Sequence, residues 1–207
     1  MLRQCSLFDE PPAGLGIGPL ARPPRLAIVP GRVHSVFYAL VPGDADAVRL
    51  HAHGRRVEEG LGFAGKATEA HRLHVTLHTL GAHAVEPPEF EVDRWCRAAA
   101  AVRQVPFDIV FDRVATFGGK DNPWVFTSSD DAALHALHEA LGIALANTGE
   151  RVVRQHIAPH MTISWRGRRI PETTIEPVRW RASELALIDS HHGEGEHEVL
   201  GRWTLNG

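Results

Sequence analysis

The chain has 207 residues, enough for one compact domain or one domain folded as two lobes. Hydrophobic residues make up 43% and charged residues 23%, and no apolar run approaches the ~20 residues of a membrane span. The net charge of −3 argues against a broad duplex-binding face, which needs an excess of lysine and arginine. Met1–Phe8 is cut off by Asp9, Glu10, Pro11 and Pro12, so no secretory leader is expected and the chain reads as cytoplasmic. Two cysteines exclude a disulfide scaffold. Cys5 falls in an expected tail and Cys96 in an expected helix, and both are expected as reduced thiols. Histidine is abundant, with 14 residues. Charge is uneven: Arg151–Arg181 carries seven arginines against Glu172 and Glu176, a local balance of +5 that suits a small anionic ligand or one strand end.

Residues 1–32 lack apolar periodicity and are rich in Pro and Gly, which predicts a flexible tail ahead of one domain over 33–207. The first strand is Ser35–Val41, closed by Pro42-Gly43. Asp44 or Asp46 is positioned to cap a helix that runs to Glu59. Arg72–Leu80 reads as a second strand, and Pro87-Pro88 precede a helix over Glu89–Val102. Pro106–Phe117 and Trp124–Thr127 form a hairpin. Asp130 or Asp131 starts a helix with Leu134, Leu137, Leu141 and Leu145 on one face. Ala158–Trp165, Ser183–Ser190 and His197–Thr204 complete the strands. Irregular alternation with hairpins predicts an α+β fold with antiparallel sheets.

Two strands carry the same pattern, Leu73-His74-Val75-Thr76-Leu77-His78 and Pro159-His160-Met161-Thr162-Ile163-Ser164. Strand side chains alternate, so His74, Thr76 and His78 share one face, and His160, Thr162 and Ser164 share another. Val75 and Leu77, and Met161 and Ile163, take the opposite, apolar face. Each strand then offers an imidazole and a hydroxyl about 6–7 Å apart, in a position where core packing would favour apolar residues.

Leu-His-Val-Thr-Leu and Pro-His-Met-Thr-Ile, 86 residues apart, resemble the paired motifs of the two-histidine phosphoesterases. The closest branch is similar to the bacterial 2′-5′ RNA ligases, also called RNA 2′,3′-cyclic phosphodiesterases. Val36–Pro42 resembles that family's opening aromatic strand and Glu198–Trp203 its closing one. The resemblance implies a bilobal α+β domain. Two antiparallel sheets would line a central cleft with helices outside, each lobe giving one His-x-Thr strand. It also implies a metal-independent phosphodiesterase that opens 2′,3′-cyclic phosphate ends of RNA, or a small cyclic-phosphate nucleotide, to a 2′-phosphomonoester. The reverse step would be 2′-5′ ligation. By resemblance His74 is the general acid and His160 the general base; the residues alone do not distinguish the roles. Thr76 and Thr162 would bind the phosphate. The family often places an arginine five residues after the second histidine. Here that position is Trp165, and Arg166 follows. Arg166 would reach the phosphate through a bulge, or Arg168 or Arg169 would replace it.

One neutral and one charged imidazole on opposite sides of phosphorus supply base and acid without a metal, which predicts a rate bell between roughly pH 6 and 8. Phe37, Tyr38, His78 and Trp165 are candidate substrate contacts, the aromatic rings offering a stacking face to a nucleobase. No cofactor and no metal is expected. The partners expected are RNA 3′ ends or small nucleotides bearing a cyclic phosphate, the chain acting as a monomer away from membranes. Two other classes compete. One is a binding module for RNA ends or nucleotides with little turnover. The other is a histidine-ligated metal hydrolase, disfavoured because neither motif has a carboxylate nearby.

Overall fold

A computed structural model describes residues 34–63, 65–118, 121–150, 157–165, 167–191 and 196–207. The expected tail lies outside them. In chain order the elements are β1 (His34–Leu40), α1 (Asp44–Gly60), β2 (Lys66–Ala67), a short 3₁₀ turn (Ala70–Arg72), β3 (Val75–His83), α2 (Glu89–Ala101), β4 (Phe107–Thr116), β5 (Trp124–Thr127), α3 (Ala132–Asn147), β6 (Met161–Trp165), β7 (Thr173–Ala182), β8 (Glu184–His191) and β9 (Glu196–Thr204). Three helices and antiparallel strands make the fold α+β, as the irregular alternation predicts.

The strands form one continuous sheet in the order β7-β4-β5-β6-β3-β1-β8-β9, with β2 added beside β6. The resemblance implied two antiparallel sheets lining a cleft; the described strands run as one. Each half contributes four strands in matching order outward from the centre, β3-β1-β8-β9 and β6-β5-β4-β7. The halves are stitched by one residue pair, Val75 with Met161. The two His-x-Thr strands are the innermost of each half, so they lie side by side and their backbones join the two halves.

The helices cover one side. α2 and α3 pack on each other, with α3 against β3 and α2 against β8 and β9. α1 crosses over to β6 and β7 of the other half. Leu134, Leu137, Leu141 and Leu145 of α3 recur at helical spacing and are all buried. Each such leucine contributes roughly 1.5–3 kcal/mol on leaving water. Gly149 follows α3 with φ +83°, and Glu150 N–H reaches back to Leu145 O, the glycine-dependent way to close a helix. At α1 the cap is Gly43, while Asp44 and Asp46 sit in the first turn, where their charge favours the helix N-terminus. Cys96 of α2 is disulfide-bonded, which corrects the expected reduced thiol; Cys5 lies outside the described residues. No helix of the described residues is long and apolar enough to cross a membrane.

Two strands escaped the sequence reading, the two-residue β2 and the longer β7. β7 contains Pro177 and three polar or charged positions before it, a poor strand signature. It survives because it is an edge strand, paired only with β4, and because the register shifts between Phe111/Val178 and Arg113/Thr174 to let the proline bulge out.

Candidate active site

Each motif histidine sits one residue ahead of its strand, not mid-strand as the pattern suggested: His74 before β3 and His160 before β6. The Val75–Met161 pair fixes what faces what. Continuing that antiparallel register by one residue each way sets His74 opposite Thr162 and Thr76 opposite His160. Directly opposed side chains share a face, so the four form a two-by-two array with the histidines on one diagonal, their Cβ atoms about 7–8 Å apart.

Both imidazoles are held alike. His74 Nδ1 donates to Arg72 O at 2.7 Å, and His160 Nδ1 donates to Ala158 O at 2.8 Å. In each case the carbonyl belongs to the second residue upstream. A carbonyl only accepts, so Nδ1 keeps its proton in either charge state and Nε2 is the atom that exchanges one. A phenylalanine backs each ring. Phe37 stacks on His74 with centroids 5.2 Å apart, and Phe117 lies 4.5 Å from His160.

A matched irregularity follows each motif. β1 pairs Ala39 with Thr76 but Tyr38 with His78, leaving Leu77 as an extra residue. β5 pairs Val125 with Thr162 but Trp124 with Ser164, leaving Ile163 extra. Both bulges fall three residues after the histidine, and each reverses the alternation beyond it. His78 therefore leaves the face of His74. It is buried against α3, where its Nε2 donates to His138 O at 2.7 Å, His138 Nδ1 donates to Leu77 O at 2.9 Å, and the rings stack at 3.9 Å. Ser164 is likewise turned inward and fully buried. Tyr38, opposite His78, faces the helices as well, fully buried with its hydroxyl donating to Trp95 O at 2.5 Å. His78 and Tyr38 are thus core, which corrects their reading as substrate contacts. Phe37 is on the motif side but only 8% exposed, packed against His74 and so not available for base stacking. Trp165, last in β6, is 41% exposed.

The surroundings of the two histidines differ. His197 of β9 stands edge-on to His74 at 5.3 Å and to Phe37 at 6.0 Å. Its Nε2 accepts from Arg72 Nη2 at 3.3 Å. Burial, then the charges of His74 and Arg72, press the His197 pKa down to about 3, so it stays neutral. Nothing in the sequence pointed to His197, because β9 reaches His74 only through the fold. Burial lowers His74 below its ordinary value, partly offset by the Arg72 carbonyl, with His160 and the Arg72 guanidinium adding to the depression. Burial also lowers His160, offset by the Ala158 carbonyl.

Arg166 lies outside the described residues. Arg168 donates to Leu61 O and Arg169 to Asn122 Oδ1, while Arg179 and Arg181 pair with Asp108 across β4. The described part of the basic stretch is therefore spent on protein acceptors, correcting the expectation of a concentrated anion site. Arg72 takes its place beside the motifs: its Nε is buried without a hydrogen-bond partner among the described residues. A depression of about 350 Å³ includes Lys66, Thr68, Glu69, Arg72 and Trp165. Another, of about 400 Å³, includes Arg113, Phe117, Thr127, Ala158 and Pro159 at the His160 side.

Residues 40–194 match the family described as the 2′-5′ RNA ligase superfamily. The chain belongs to that superfamily of two-histidine phosphoesterases. An RNA 2′,3′-cyclic phosphodiesterase of Geobacillus stearothermophilus is 30% identical over 119 residues, which cover 55% of this chain and 35% of that protein. The matched stretch thus spans about a third of the relative's length. Escherichia coli LigT, in a crystal structure with 3′-AMP, is 20% identical with a TM-score of 0.65 over 84% of this chain and 99% of that one. A Thermus thermophilus protein is 21% identical with a TM-score of 0.64 over 84% of this chain and 98% of that one. At such identities these two likenesses speak for the superfamily's fold.

Proposed function

We propose that the chain is a metal-independent phosphodiesterase that opens 2′,3′-cyclic phosphate ends of RNA, or of a small nucleotide, to a 2′-phosphomonoester. The observation that carries this reading is the pair of imidazoles with the same fixed tautomer, diagonal across one seam, each beside the other motif's threonine. The phosphate sits between them. His160 Nε2 takes a proton from water as the water oxygen bonds to phosphorus. The P–O3′ bond breaks, its electron pair stays on O3′, and His74 Nε2–H supplies the proton there. Thr76 and Thr162 donate to the non-bridging oxygens, where charge accumulates. The Arg72 guanidinium, in place of the arginine missing after the second motif, lies where it can bind the phosphate. Trp165 offers the exposed aromatic face for a base. Two imidazoles cover both proton transfers, so no step calls for a Lewis acid. The reverse sequence, 2′-5′ ligation, follows by microscopic reversibility.

The G. stearothermophilus relative is named for the same reaction, which supports the substrate class. The test is incubation of the purified chain with an oligoribonucleotide ending in a 2′,3′-cyclic phosphate, in EDTA, with the product identified by mass and alkaline mobility. A 2′-phosphate formed by the wild type and not by His74→Ala or His160→Ala supports the reading. Tight binding of the oligonucleotide without any phosphomonoester overturns it in favour of a binding module.

A further inference from the structure

On the helix-facing side of the sheet, away from the motifs, two strand ends bring together a second set of ligating atoms. His34 opens β1 and pairs with His191, which closes β8. Asp189 lies two residues before His191, so all three side chains share a face with the core residues Val36 and Leu187. His34 Nδ1, Asp189 Oδ2 and His191 Nε2 all lie within 4.8 Å of one another. The His34–Asp189 separation is 2.6 Å and the Asp189–His191 separation 3.6 Å. Asp189 is 1% exposed, and its Oδ1 has no hydrogen-bond partner among the described residues. A His34–Asp189 ion pair accounts for Oδ2 and leaves Oδ1 buried without a donor, a costly arrangement.

We propose that His34, Asp189 and His191 form a binding site for a zinc-like first-row divalent cation, clipping β1 to β8 on the face opposite the motif pair. Two imidazoles and one carboxylate match the nitrogen-rich preference of such ions, unlike the all-oxygen preference of calcium or magnesium. Donors bonded to zinc at about 2.0–2.2 Å in tetrahedral array lie about 3.4 Å apart. Asp189 and His191 already hold that spacing, and the His34–Asp189 pair needs to open by less than about 1 Å, with His34 and His191 already within 4.8 Å of each other. Glu198 of β9, 3.6 Å from His191 Nε2, adds a neighbouring carboxylate that favours a cation. The site takes no part in phosphodiester opening, so its test does not depend on that reading.

The motif face carries His74, His160 and His197, which can also attract zinc, so the experiment uses a His74→Ala/His160→Ala background. Metal-stripped full-length protein is titrated with zinc chloride by calorimetry, and its melting temperature is followed with and without the metal. The proposal predicts one bound zinc per chain and a rise in Tm of several degrees. Asp189→Asn, which keeps the shape of the side chain, and separately His34→Gln should each weaken binding at least tenfold and abolish the rise. Cobalt substitution should give the visible absorption of a tetrahedral nitrogen–oxygen site. No zinc uptake in the background protein overturns the proposal. So does equal uptake and equal Tm rise in both variants, or in His34→Gln alone if Asp189→Asn does not fold.

Discussion

The two halves of the sheet repeat one device in different company. Each has a histidine just ahead of its inner strand, an Nδ1 bond to the carbonyl two residues back, a phenylalanine behind the ring and a bulge three residues on. The first half then adds Arg72 and a neutral His197 around His74, while among the described residues the ring in contact with His160 is Phe117. The backbone repeat fixes where the proton-exchanging nitrogens point. Under the proposed function, the unequal neighbours set the two halves apart in how they meet the phosphate's charge.

The largest effect should come from removing either ring. His74→Ala and His160→Ala are each expected to cost about 10²–10⁴-fold in kcat on a cyclic-phosphate oligonucleotide, since each deletes one proton transfer. The fold should survive, because both rings sit ahead of their strands and outside the hydrophobic core; circular dichroism checks this. A half that tolerates its alanine breaks the equivalence. Thr76→Ala and Thr162→Ala should be milder, about 2–4 kcal/mol of transition-state stabilisation each, read from kcat/KM. Arg72→Gln sharpens the asymmetry. Its backbone carbonyl still holds His74, so the loss should fall mainly on KM, about 1.5–3 kcal/mol for one charge-assisted bond. A purely kcat effect would instead mean that the guanidinium acts on His74 alone.

A smaller effect concerns stability. Burial holds His53, His74, His78, His160 and His197 below the ordinary histidine value in the folded chain. Above about pH 6.5 both folded and unfolded chains keep them neutral. As pH falls below that, the unfolded chain takes up protons that the folded chain resists, so stability declines. The urea midpoint should therefore be lower at pH 5 than at pH 7.5. An equal or higher midpoint at pH 5 would show that these rings are not desolvated.

Much of this was legible in residue order. Pro and Gly punctuation bounded the helices, the leucine stripe of α3 marked the core, and the two His-x-Thr patterns marked the seam. What stayed hidden depends on register and distance. Leu77 and Ile163 look like ordinary alternating residues, and only pairing with β1 and β5 shows them as bulges that turn His78 and Ser164 inward. His197 sits 123 positions from His74 and meets it only because β9 closes the same half-sheet. Arg72 was masked by the basic stretch downstream, whose charge count drew attention to arginines that the fold pairs with Asp108, Leu61 and Asn122.

The acid–base pair is tested most directly by the pH profile of kcat/KM in EDTA for the wild type beside each histidine variant. Burial lowers both rings, so the singly protonated pair in the free protein forms at lower pH than two ordinary histidines would give. The bell should therefore peak below about pH 6.5, more acidic than the neutral-range bell of unperturbed imidazoles, while kcat, which reports the phosphate-bound state, should peak at higher pH. Residual activity of either single variant should lose one limb. A wild-type bell that persists with both limbs in His74→Ala or His160→Ala would contradict the pair.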